Sequence, residues 1–253
     1  MINNYVDITV RLLENILDNE ADYVKEAGAK VAKSIENDGV IHLFGCGHSH
    51  ILTEEVFYRA GGLAAIHPIL HEPLMLHEGA AASSVLERKN DYAKTFMVEE
   101  DIRPGDIMIV LSTSGRNPVP IDVAEIAREK GAFVIVITSL QYSASQKSRH
   151  TSGKRLSDAG DIVIDNGAVK GDAVLKSANF DIAFAPTSTV TGAVILQSIF
   201  AEAIEKMVND NFTPPVFISG NVENAENAEN ADAHNQALVD KYKERIPLLG
   251  MNL

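Results

Sequence analysis

Near the amino end of the chain, Ile8, Leu12, Ile16, Tyr23, Ala27, Val31 and Ile35 recur four or seven apart with charged residues between them, up to Asp38-Gly39. That spacing predicts a long amphipathic helix over residues 1–38 with a glycine stop. The helix suits packing on its own sheet and contact with a second subunit equally well. The period then changes. Short apolar runs at 40–44, 106–111, 133–137 and 161–165 predict buried strands, and Ala65-Ile66-His67-Pro68 reads as a further short one. Helical spacing returns through Leu52, Glu55, Val56 and Tyr58 towards Gly61-Gly62, in a broken stretch from Ala80 to Val98, and from Pro118 to Gly131. It returns again behind Pro186-Thr187-Ser188-Thr189 through Val194, Leu196, Ile199, Ala203 and Met207. Residues 141–160 are polar and loop-like. Beyond Pro214-Pro215, Asn-Ala-Glu units repeat between Glu223 and Glu229 in a solvent-facing segment, helical or disordered, before Tyr242, Ile246, Leu248 and Leu249, which can dock on the body or on a partner subunit.

Strands alternating with helices predict an α/β fold with a mostly parallel sheet covered on both faces. In such sheets ligands bind beyond the carboxyl ends of the strands, where the turns carrying Gly47, Ser112 and Thr138 fall.

Composition narrows the class. The chain has 253 residues, 45% of them hydrophobic, and a formal net charge of −13. With no basic stretch to neutralise a phosphate backbone, a nucleic-acid partner is not expected. The one cysteine, Cys46, excludes an internal disulfide and a multi-cysteine zinc site. No apolar run reaches the roughly 18 residues of a membrane span, and the first residues lack the basic start and apolar core of a secretory signal. The expectation is a soluble cytoplasmic protein.

The most informative stretch is Ile109-Val110-Leu111-Ser112-Thr113-Ser114-Gly115-Arg116-Asn117-Pro118, a strand that breaks into hydroxyls, a glycine and a helix start. Free N–H groups and the positive end of the helix dipole favour an anion there. Ser112, Thr113 and Ser114 add three rotatable donors suited to phosphate oxygens. Helix capping by Ser112, Thr113, Ser114 or Asn117 is the plainer alternative, though one hydroxyl suffices for it. Arg116 is the one cation of the loop and suits a ligand phosphate or carboxylate, or an acidic residue of a neighbouring subunit.

The first strand ends in a similar turn, Gly45-Cys46-Gly47-His48-Ser49-His50. A dinucleotide site would need a glycine where His50 stands and an acidic residue after Ile66, and neither is present. A metal reading of His48 and His50 with His67, His71, His77 and Glu78 lacks the further ligands that the strands at 106 and 133 would have to supply. No cofactor or metal is expected, and His48 and His50 are read as lining a pocket beside Ser49.

Together the two turns resemble the sugar isomerase (SIS) domain family of phosphosugar-binding proteins over roughly residues 30–210. The resemblance is strongest to UPF0309-like members, whose first turn reads Gly-x-Gly-His-Ser-His before a Tyr-Arg-Ala-Gly-Gly step, here Tyr58 to Gly62. It implies one domain over 1–253, a three-layer αβα sandwich around a five-stranded parallel sheet with a tail at 214–253, and a homodimer or homotetramer with sites at subunit boundaries. It implies a sugar phosphate as ligand, held by Ser49, Ser112, Thr113, Ser114 and Asn117. Gly47, Gly115, Thr138 and Ser188 complete the expected binding set. Phosphoheptose isomerases share the Leu-Ser-Thr-Ser-Gly loop and a Glu-Glu pair that matches Glu54 and Glu55 after a small gap. N-acetylmuramic acid 6-phosphate etherases share Ser-Gly-Arg at 114–116, a glutamate helix resembling residues 86–91 and the Ser188-Thr189 pair, which here precedes Val190 and Thr191 instead of basic residues.

Aldose–ketose isomerisation needs a base that carries a proton between adjacent carbons, and elimination of an ether needs nearly the same groups. The candidates are Glu87 and Glu55 as carboxylates, with His77 or His150 as proton shuttle. Each also fits an ordinary surface role: an exposed helix residue for Glu55, a charged face beside Arg88 and Lys89 for Glu87, and polar loops for the histidines. The expected function is phosphosugar isomerisation, with a lyase or etherase and a non-catalytic phosphosugar sensor as the alternatives.

Overall fold

The computed structural model describes residues 1–220 and 228–250. In chain order the elements are α1 (Ile2–Glu36), β1 (Ile41–Gly45), α2 (His50–Glu55), β2 (Ile66–Pro68), α3 (Ala80–Leu86), α4 (Lys94–Met97), β3 (Ile107–Leu111), α5 (Pro118–Glu129), β4 (Phe133–Thr138) and α6 (Leu140–Ala144). They continue with β5 (Ile162–Asp165), β6 (Leu175–Ser177), β7 (Phe180–Phe184), α7 (Ser188–Asn209) and α8 (Ala228–Tyr242). Five strands form one parallel sheet in the order β2-β1-β3-β4-β5. The order reverses direction beside β1, so β1 and β3 flank the crevice in which such folds bind ligands.

Alternation along the strands assigns the layers. Ile107, Ile109 and Leu111 join Leu43, Ile135 and Ile164 in a core shared with Val31 and Ile35 of α1, Leu196 and Ile199 of α7, and Val239 of α8. Met108 and Val110 point the other way with Phe44, Val134 and Val136, into a core closed by Phe96 of α4 and Val123 of α5. Because β1, β3 and β4 are covered on both faces, they read as unbroken apolar runs rather than alternating ones. The packing of α1 on α7 is close: a Cβ at Gly28 would lie 2.6 Å from Glu202 Cβ.

The structure departs from expectation at two places and decides between two alternatives at a third. The helix after β1 ends at Glu55, and Tyr58 takes a left-handed φ of 45° instead of continuing it. The segment at 175–184, which carries no strand signal, forms the antiparallel β6–β7 hairpin, whose Ile182 is 66% exposed. The carboxyl-terminal segment docks on its own chain: Tyr242, Ile246 and Leu249 are buried in the core beneath α1 and α7, and Arg245 reaches Asp106 beside β3. The Asn-Ala-Glu repeats lie largely outside the described residues. Among the described residues no helix is long and apolar enough to cross a membrane.

Candidate functional site

A cavity of about 390 Å³ opens where the carboxyl ends of the strands meet the amino end of α7. The turn after β1 contributes His48 and Ser49, and the turn after β3 contributes Ser112, Thr113, Ser114 and Asn117. Tyr142 comes from α6, Asn166 from the segment after β5, Asp172, Ser188 and Thr189 from the approach to α7 and its first turn, and Glu87 from the end of α3.

The loop after β3 is held open by its neighbours. Ser112 N–H donates to Ile137 O at 3.1 Å, Gly115 N–H to Ser112 O at 3.1 Å, and Thr113 O accepts from Ser139 N–H at 3.0 Å. Gly115 takes a φ of +56°, and a Cβ there would lie 2.6 Å from Thr138 Oγ1. Thr138 is fully buried, so it supports the loop from beneath rather than lining the cavity. The N–H groups of Thr113 and Ser114, and the hydroxyls of Ser49, Ser112, Ser114 and Thr189, have no partner among the described residues. Such a convergence of unspent donors suits an anion. The first turn of α5 itself offers little, since Pro118 and Pro120 lack N–H groups and Val119 N–H donates to Glu87 O at 3.3 Å. The donors are therefore those of the loop rather than of the helix end.

Asn117 stands at the amino cap of α5 without capping it. Its Nδ2 donates to Glu87 Oε1 at 2.7 Å, and its Oδ1 accepts from Arg149 Nη1 at 2.8 Å. Burial pushes the Glu87 carboxyl above its usual range, and the Asn117 hydrogen bond and the charges of Arg88 and Arg149 only partly oppose this. Glu87 is thus a half-buried carboxyl with a raised pKa, set beside the unpartnered donors of the loop.

The remaining residues divide plainly. His50 is buried beneath the first turn, with Nδ1 on Gly47 O, and Gly47 shapes that turn with a φ of +55°. Arg116 reaches Gln146 at 3.3 Å. Glu55 is exposed and paired with Arg59, and His77 lies on the surface with its side chain 61% exposed. His150 binds Asp122 at 2.8 Å and Ser152 at 2.6 Å, which fastens the loop carrying Arg149. The cavity thus gathers Glu87 with the hydroxyl loop and leaves Glu55, His77 and His150 outside its lining.

Sequence reasoning did not single out Tyr142, Asn166 or Asp172, and it named Thr189 only within the Ser188-Thr189 pair. Asp172 Oδ1 accepts from the N–H groups of Thr187 and Ser188, both at 3.0 Å, and Oδ2 accepts from Ser188 Oγ. It caps α7 from a distant loop, which leaves no local spacing signal. Asn166 Nδ2 donates to Thr113 Oγ1 at 3.4 Å. The one hint was the position of Asn166 directly after a predicted strand.

A doubly covered parallel sheet with an open, polar-lined cavity at its carboxyl edge defines the class as an α/β protein of the doubly wound kind. Within that class the chain belongs to the SIS domain family, whose model matches residues 4–139. It is 96% identical over 253 residues to a UPF0309 protein of Listeria monocytogenes, covering 100% of both chains. A UPF0309 protein of Halalkalibacterium halodurans is 57% identical over 252 residues, covering 100% of this chain and 98% of that one. Among solved structures, a phosphoheptose isomerase from Neisseria gonorrhoeae superposes with a TM-score of 0.51 at 16% identity, over 83% of this chain and 97% of the other. That likeness bears out the three-layer fold.

Proposed function

We propose that the protein binds a phosphorylated sugar and interconverts its aldose and ketose forms. The observation that carries this reading is the placement of Glu87, a half-buried carboxyl with a raised pKa, in one cavity with the unspent donors of residues 112–114. In this reading Thr113 and Ser114 N–H groups and the Ser112 and Ser114 hydroxyls hold the phosphate, while Ser49 and Asn166 meet sugar hydroxyls. Glu87 takes the proton from the carbon next to the carbonyl, giving an enediol, and returns it to the neighbouring carbon. His48, at the cavity mouth, donates to the carbonyl oxygen as it gains charge. No cofactor is required by this chemistry. The protein is read as one cytoplasmic domain and as a homodimer or homotetramer. Ile2, Val6 and Val10, exposed and four residues apart on α1, support contact with a second copy.

The test is thermal stabilisation by a panel of sugar phosphates, followed by NMR of each binder in heavy water. A substrate should exchange its C1 or C2 proton and yield its isomer, and Glu87→Gln should slow this about 10²–10⁴-fold. Binding without exchange would point to a sensor, and release of an ether substituent to a lyase. Stabilisation by no phosphorylated sugar would overturn the reading of the Ser112 loop.

A further inference from the structure

Away from the cavity, His42 of β1 and His67 of β2 lie side by side in the sheet register. Their rings meet edge to face with centroids 5.2 Å apart. His42 is fully buried and His67 nearly so. Buried imidazoles normally have both nitrogens satisfied. Here one nitrogen of each is engaged, His42 Nε2 with Asp106 Oδ2 at 3.2 Å and His67 Nε2 with Glu100 Oε2 at 2.8 Å. Nδ1 of both rings is buried without a partner.

The surroundings fix the chemistry of those nitrogens. Asp106 also accepts from Arg245 and from the N–H groups of Val40 and Arg103. A carboxylate that accepts from a guanidinium and two backbone N–H groups leaves His42 Nε2 as the donor in its contact with Asp106. A neutral imidazole that donates from Nε2 to an ionised carboxylate keeps its lone pair on Nδ1. This is the carboxylate–histidine arrangement that orients metal ligands.

Glu100 completes the cluster. One donor atom from each of His42, His67 and Glu100 lies within 4.8 Å of the others. Lys130 Nζ donates to Met97 O at 2.7 Å and to Glu100 O at 2.8 Å, which pins the turn presenting the carboxylate. We propose that His42, His67 and Glu100 form a binding site for a divalent transition-metal ion of the zinc class, independent of the sugar-phosphate cavity. Two imidazoles and a carboxylate, with water as the fourth ligand, match the tetrahedral preference of that ion. Ligand distances of about 2.0–2.2 Å set donors roughly 3.3–3.6 Å apart, so the 2.8 Å His67–Glu100 pair opens slightly while the wider separations, all within 4.8 Å, close onto the ion. The ion takes the place of the His67–Glu100 hydrogen bond: His67 coordinates through Nε2 and keeps its single ring proton on Nδ1, so no net proton is released. Glu100, the most exposed of the three, marks the entry path.

The test uses the full chain, stripped with chelator and titrated with Co²⁺ and Zn²⁺. Tetrahedral Co²⁺ absorption at one ion per chain, displaced by Zn²⁺, is expected. His67→Ala should abolish it, and Glu100→Gln should weaken binding at least about tenfold. Glu125→Gln should leave it unchanged. Glu125 belongs to the other cluster with suitable spacing among the described residues, Asp122, Glu125 and His150. Circular dichroism checks the fold, and Glu100→Gln, on a surface turn, keeps the test decisive if His67→Ala does not fold. Absence of stoichiometric Co²⁺ absorption, wild-type affinity in Glu100→Gln, or loss of binding in Glu125→Gln would overturn the site.

Discussion

Glu87 carries opposed demands, since burial disfavours its charge while Asn117 and two nearby arginines favour it, and burial wins. Its folded pKa therefore lies above the unfolded one, so the native state binds more protons between the two values and stability falls as pH rises through that window. Glutamine keeps an acceptor for Asn117 Nδ2 and has no charge to desolvate. Glu87→Gln should match the wild type in urea denaturation below about pH 4 and become the more stable protein as pH climbs past the ordinary carboxylate range. A stability difference independent of pH would mean that Glu87 is not strained by burial. At this scale the sequence showed Glu87 and the hydroxyl loop because residue type and strand–turn–helix context suffice to mark them. It did not separate Glu87 from Glu55 or His77 from His150, because each pair is alike until α2 ends at Glu55, His77 falls on the surface and the 148–155 loop folds onto Asp122. Asp172 was invisible because its partners are fifteen and sixteen positions away along the chain.

The elements differ in how far their own residues dictate them. α1, α5, α7 and the strands β1, β3, β4 and β5 were legible because each buries a face or an entire strand, and burial writes a period into the sequence. The β6–β7 hairpin buries little: Phe180 is 50% exposed, so its pattern has no apolar side to report. The turn between β3 and α5 is specified more tightly than either flank. Replacing Gly115 with alanine puts a side chain in a left-handed conformation and a Cβ 2.6 Å from Thr138 Oγ1. The expected cost is about 1–3 kcal/mol, a fall of roughly 2–10 °C in Tm. Displacement of the 112–114 donors should also remove stabilisation by sugar phosphates. If Gly115→Ala melts like the wild type and still responds to ligand, the loop is more compliant than this geometry allows.

At the scale of the whole molecule, the sheet separates two tasks. Its carboxyl edge holds the cavity, and its amino edge is closed by the carboxyl-terminal segment, which returns across the fold so that Arg245 grips Asp106 through two nitrogens, at 3.1 Å and 2.7 Å. The same guanidinium donates to Asp101 O at 3.0 Å and lies 3.2 Å from Asp101 Oδ2. β3 runs between these ends, with Asp106 just before it and Ser112 just after it. At about 3.3 Å per residue, the extended run from Asp106 to Ser112 through this strand sets the two about 20 Å apart. The family resemblance placed the core at 30–210 and treated 214–253 as a tail. Docking through one arginine and scattered apolar residues leaves no continuous pattern to read. Removing the guanidinium leaves Asp106 buried and charged with its remaining donors His42 and two backbone N–H groups, so Arg245→Ala should cost about 2–3 kcal/mol in urea unfolding. Arg245→Lys should recover less than half of that, because an ammonium cannot span both carboxylate oxygens and Asp101 together. Equal stability of the lysine variant and the wild type would show that charge alone, and not the planar fork, secures the carboxyl-terminal segment to the sheet.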